Sequence, residues 1–165
     1  MRRLLLAALV LLMPVVVLAQ AKAPSIEGVW QISSVVSTGA NALNNPKAQP
    51  SLIIFTRTHY SWISVNGTDA RPNAPAPKDP NKPTNAEKLA AFAMWDPLTA
   101  QSGTYQFTGT MLTRRPTVAK NVAVMTTNPP IVAQARLEGN KLTLIAKSAT
   151  GQPASETTTV LTRVE

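Results

Sequence analysis

The chain contains no cysteine. This excludes a disulfide framework, a thiol nucleophile, a cysteine metal site and the lipobox cysteine of a lipid anchor. Histidine occurs once, as His59, whereas metal and triad chemistry normally need several partners together. Acidic residues number only eight. Asp69, Asp79, Glu87 and Asp96 fall in loops or at a helix start, without metal-ligand spacing, paired carboxylates or a Gly-rich phosphate loop. The expectation is therefore no catalytic motif, no metal site and no cofactor. Aromatics make up 5% of the chain, so its core must rely on aliphatics.

Long apolar runs are also scarce, and the single extended one is N-terminal. Arg2 and Arg3 precede the apolar stretch Leu4 to Leu18, broken by Pro14 and followed by Ala19-Gln20-Ala21. Residues 1–21 read as a secretory signal peptide with an A-X-A cleavage site, a cut after Ala19 being the close alternative. A retained anchor is the other reading, but such a stretch is short against the roughly 20 residues of a membrane span. Cleavage after Ala21 leaves 22–165 as one domain of 144 residues, enough for a real core. Together with the missing thiols, the leader places the protein in the periplasm or outside the cell, without integral membrane association.

The whole chain carries a net charge of +8, of which the leader holds two. A basic surface can attract nucleic acid, anionic lipid or acidic small molecules. Here the cations are scattered, with only Arg114-Arg115 adjacent in the mature part, and no basic stripe is interleaved with aromatics. Nucleic acid is not expected as a partner, and solubility accounts for the charge.

Past the leader the pattern has period 2, with Thr, Val and Ile in short runs separated by Gly, Pro and Asn. Strands are expected at 27–37, 51–56, 59–66, 102–108, 111–118, 130–138, 141–148 and 156–164. Ile131, Ala133, Ala135 and Leu137 share one face, and Glu138-Gly139-Asn140 supplies the turn into Leu142, Leu144 and Ala146. Thr108-Gly109-Thr110 makes a similar turn. Thr84-Asn85-Ala86-Glu87 matches a capping box, and Leu89, Phe92 and Ala93 follow at helical spacing until Asp96-Pro97. The helix, at about 85–95, lies either over an open barrel end or on the outer wall. Before it, Pro72, Pro75, Pro77, Pro80 and Pro83 make 70–83 an extended Pro-rich loop, a spacer or a lid. The fold expected is all-β: an eight-stranded antiparallel up-and-down β-barrel with one short helix between strands 3 and 4.

Gly28-Val29-Trp30 opens the first strand and Arg163 closes the last. With Ile53-Ile54-Phe55-Thr56, His59-Tyr60-Ser61, Asn66-Gly67, Arg71-Pro72, Ser102-Gly103-Thr104-Tyr105, Leu112-Thr113-Arg114-Arg115-Pro116, Leu142-Thr143-Leu144 and Leu161-Thr162-Arg163, they resemble the lipocalin-like domain family of exported bacterial proteins. The chain ends too soon after its last strand for the C-terminal helix of larger lipocalins, and lacks their disulfide and Thr-Asp-Tyr turn. The resemblance implies that Trp30 packs under Arg163 as a plug at the closed barrel end. It also implies a basic residue facing the interior from the Arg114-Arg115 pair on the expected fifth strand, and singles out Arg115 over Arg114. By alternation only one of the two points inward.

Tyr60, Trp62 and Tyr105 join Arg115 as ligand-binding candidates, their apolar bodies and polar tips suiting a pocket, although as plain core they need no ligand. The function expected is binding of a small hydrophobic or amphipathic molecule, an anionic one included. The alternatives are an isomerase or cyclase acting on a bound hydrophobic substrate, and an interaction or protease-inhibitor protein of the envelope.

Overall fold

The computed structural model describes residues 24–39, 42–125, 130–148 and 151–165. The expected leader lies outside the described residues. Among the described residues there are nine strands: β1 (Gly28–Gly39), β2 (Leu43–Asn45), β3 (Ser51–Phe55), β4 (His59–Val65), β5 (Leu98–Phe107), β6 (Met111–Ala119), β7 (Ile131–Glu138), β8 (Lys141–Lys147) and β9 (Ser155–Arg163). All neighbouring pairs are antiparallel, and β1 pairs with β9 from Trp30↔Arg163 to Gly39↔Ser155, which closes the sheet. Eight strands form the barrel, and closure removes the open edges that would otherwise template association.

The short β2 was not expected, because Leu-Asn-Asn carries little strand propensity. It exists because β1 is long: β1 pairs with β3 through Gly28–Trp30 and with β2 through Val35–Ser37. Helix α1 (Asn85–Trp95) therefore falls between β4 and β5 by this count, still between the third and fourth barrel strands. Thr84 caps it as the motif predicts, accepting from the Glu87 amide while Glu87 accepts from the Thr84 amide. β5 begins four residues ahead of its expected start, and a 3-10 turn η1 (Val122–Met125) follows β6.

Two irregularities set which side chains enter the barrel. β1 slips between Ile32 and Ser34, so the inward series runs Trp30, Ile32, then Val35. β5 and β6 slip between Ser102 and Gly103, whose partners are Val118 and Pro116. Gly103 is required there, since a Cβ would overlap the Arg115 carbonyl and Pro116 Cα at 2.9 Å.

The core is that inward series. Ile26, Trp30, Ile53, Phe55, Leu112, Leu142 and Leu161 are essentially inaccessible and fill the half nearest the turns at 56–58, 108–110 and 139–140. The other half is more polar. Ser64 and Asn45 are buried there, and the Ser37 and Thr157 hydroxyls share a 2.8 Å hydrogen bond.

Candidate functional site

The floor of the barrel is sealed by the first and last strand residues. Trp30 is fully buried, its indole N–H donates to the Ile26 carbonyl at 2.9 Å, and the Arg163 guanidinium lies 4.2 Å from its ring centroid. Arg163 also donates to the Glu27 carbonyl and to the Ser25 carbonyl, tying the N-terminal segment across the opening. Gly28 has φ +130°, and a Cβ there would collide with the Glu165 carbonyl and the Arg163 guanidinium. Glycine thus precedes the tryptophan because the chain must pass this close to its own end.

Of the adjacent arginines, the structure corrects the choice: Arg115 is exposed on the outer wall and Arg114 enters the barrel. The physical reason is parity. Leu112 is fully buried and Pro116 buried, and Arg114 lies between them on the same face of β6. That signal was present in the sequence, since an inward Arg115 would have turned Leu112 to solvent.

Arg114 is an unusual cation. Part of its surface remains accessible, but Nε and Nη1 are shut off from solvent and have no hydrogen-bond partner among the described residues. No carboxylate pairs with it; the ion pairs among the described residues are Arg136–Glu138 and Lys147–Glu156 at the surface. It is held by π faces, 4.5 Å from the Trp62 centroid and 5.7 Å from that of Tyr60. Burial pushes its pKa below the ordinary guanidinium range, and the facing Tyr60 phenol partly offsets this. A desolvated cation with unfilled donors is costly, and an anion is what would fill them.

Tyr60 and Trp62 are buried, consistent with their expected place on the inner wall. The Tyr60 hydroxyl reaches Gln101 Oε1 at 3.5 Å, and the Trp62 indole N–H donates to Ser64 at 3.2 Å. Tyr105 is not with them at the guanidinium. Its hydroxyl donates to the Thr56 carbonyl at 2.6 Å and its ring meets Phe55 edge-on, which directs it to the sealed end. His59 is exposed, its Nδ1 2.9 Å from the Thr58 hydroxyl. Among the described residues no cluster of three or more potential metal ligands forms.

At the opposite end the barrel is notched. β6 pairs with β7 only over Met111–Arg114, so its last five residues run past that pairing. A cavity of about 470 Å³ occupies the notch, with Leu98, Ala100, Ala119, Val124 and Ile131 as apolar lining and Asn66, Asp96, Thr99, Gln101, Lys120 and Asn121 as polar lining. Ile131 is the cross-strand neighbour of Arg114, and Gln101 that of Trp62. Sequence reasoning missed Gln101, because a lone glutamine in a strand carries no motif. Helix α1 contributes no residue to the lining of this cavity. None of its residues is buried, and Leu89 and Phe92, expected on its packed face, are exposed instead.

Both tyrosine hydroxyls titrate above the ordinary phenol range. Burial raises Tyr60 while Arg114 opposes the shift; burial and then the Glu27 charge raise Tyr105. Raised folded-state values mean that the native protein keeps protons the unfolded chain releases. The stabilisation is fully present below about pH 10, the unfolded phenol value, and declines as pH rises through the folded values. Urea melts should therefore show a falling midpoint above that pH. The fall should be shallower in Tyr60→Phe; an identical decline in that variant would remove Tyr60 as a cause.

No family model, curated protein or solved structure matches the chain. Fold and site nevertheless define a class: a closed eight-stranded antiparallel barrel, sealed at one end by a Trp–Arg stack, with an unpaired guanidinium inside.

Proposed function

We propose that the protein is a binding barrel for a small amphipathic molecule carrying an anionic group, acting in the periplasm or outside the cell. The observation that carries this reading is Arg114, a half-buried cation in the barrel interior whose Nε and Nη1 are shut off from solvent and have no partner among the described residues. The notch cavity of about 470 Å³ falls in the range of roughly 300–1,000 Å³ common for small-molecule sites. Its apolar lining suits a hydrocarbon or ring, and Gln101 and Ile131 connect that lining to the neighbourhood of the guanidinium. The filled lower half of the barrel leaves no space for a long chain threaded to the floor, which favours a short ligand. The resemblance to lipocalin-like exported proteins supports the same reading, and the compartment rests on the N-terminal leader.

Calorimetric titration of medium-chain carboxylic acids against the matching alcohols tests the proposal. The acids should bind more tightly by about tenfold, the scale of one charge-assisted hydrogen-bonded contact. Arg114→Met should abolish the difference and Arg115→Leu should preserve it. Equal affinity for acid and alcohol in the unmodified protein would reject an anion-selective interior.

A further inference from the structure

Helix α1 turns its largest apolar side chains away from the fold. Leu89, Phe92 and Trp95 recur every third residue and are 69%, 64% and 52% exposed, while the partly covered positions are Glu87, Ala90 and Met94. The chain has eight aromatic residues in all, so placing two of them on this stripe is a large share of a scarce resource. Core packing does not explain it, because the helix buries nothing. An exposed apolar cluster held in a defined geometry marks a contact surface.

The geometry is defined by polar ties at both ends. At the start, the capping box is reinforced by the Lys78 amide donating to Glu87 Oε1 at 3.0 Å. At the finish, the Lys120 ammonium donates to the last carbonyls, those of Trp95 and Asp96, and Asn66 donates its amide to the Pro97 carbonyl at 2.8 Å. These ties spend Glu87, the helix's one acid, on backbone amides. From Arg71 to Asp96 the chain carries Arg71, Lys78, Lys82 and Lys88 against Asp79, Glu87 and Asp96, Lys120 adds a further cation at the helix end, and the Arg71 guanidinium sits 6.0 Å from the Trp95 centroid.

We infer that the Leu89–Phe92–Trp95 face of α1 docks on the surface of an anionic phospholipid bilayer. Three apolar side chains, with a tryptophan and adjacent cations, suit the headgroup boundary, where the rings enter the acyl edge and the cations meet phosphates. Area decides against a protein partner. The stripe exposes on the order of 400 Å², against the roughly 800 Å² per side that a stable protein interface buries. This contact is peripheral, since no helix among the described residues is long and apolar enough to cross a membrane. Asp96 lines the notch cavity directly after the helix, so docking would set the barrel opening beside the bilayer. The inference does not depend on what the barrel holds.

Co-sedimentation of the mature protein with vesicles of phosphatidylcholine alone, or of phosphatidylcholine with phosphatidylglycerol, is the test. Binding is expected on the anionic vesicles, reduced by salt, and weakened at least about tenfold by the double substitution Leu89→Ser with Phe92→Ser. The fold should survive, because neither side chain is buried. Brominated lipid supplies a measurement without substitution: Trp30 and Trp62 are buried, so quenching reports on Trp95. Absence of binding at low salt, equal binding to both vesicle types, unquenched fluorescence or undiminished binding by the double variant would each overturn the inference. So would self-association in gel filtration that the double variant abolishes, which would assign the stripe to a second copy of the chain.

Discussion

Replacing Trp30 with alanine should destabilise the protein by about 3–5 kcal/mol, the usual cost of truncating a fully buried large aromatic. Three losses coincide at this position. The indole leaves a cavity among side chains that include the inaccessible Ile26 and Leu161; the Ile26 carbonyl loses its donor; and the Arg163 guanidinium loses the ring it stacks on. Arg163→Met should cost less, because Arg163 is only partly covered and its carbonyl partners at Glu27 and Ser25 are near solvent. Denaturant melts of both single variants and the double variant should show a coupling of about 0.5–2 kcal/mol, the range of cation–π contacts. Strict additivity would mean that the two side chains seal the floor independently.

Arg114→Met should move stability in the opposite direction. An ion taken out of water without a counter-charge is a net cost, and replacing buried ions by apolar side chains of similar volume has often been neutral or favourable by about 1–4 kcal/mol. Against this stands the stacking on Trp62 and Tyr60, worth about 2 kcal/mol when desolvated. With Nε and Nη1 both unfilled, desolvation should prevail, and the variant should melt about 1–2 kcal/mol more stably. A stability cost carried by one interior side chain is what a binding site shows and a packed core does not. A clear loss of stability in Arg114→Met would instead make the guanidinium a structural rivet between β4 and β6.

Much of this architecture was legible locally. Ile131 to Ala146 alternate cleanly around Gly139-Asn140, and the corresponding hairpin forms with Glu138 opposite Lys141. The Thr84–Glu87 box and Pro97 bound a helix over Asn85–Trp95, as the motif predicts. These features depend on neighbours within a few residues, which is the range over which turn chemistry and capping act. The inward arginine was legible too, through the shared parity of Leu112, Arg114 and Pro116; the family pattern pointed to Arg115 and was the poorer guide. β2 was not legible, since Leu43–Asn45 pairs only because β1 outlasts its contact with β3.

By itself the sequence determined the strand alternation, the turns and the helix cap, because each follows from residue types a short distance apart. The tertiary structure alone decided the register in which β1 meets β9, that slips after Ile32 and Ser102 reset which side chains enter, and that Arg114 lies over Trp62, fifty-two positions earlier in the chain. It also decided that Leu89, Phe92 and Trp95 face solvent. Helical spacing shows that residues share a side, but which side the fold covers depends on how the closed barrel places the helix ends, through contacts such as Lys120 to the Trp95 and Asp96 carbonyls.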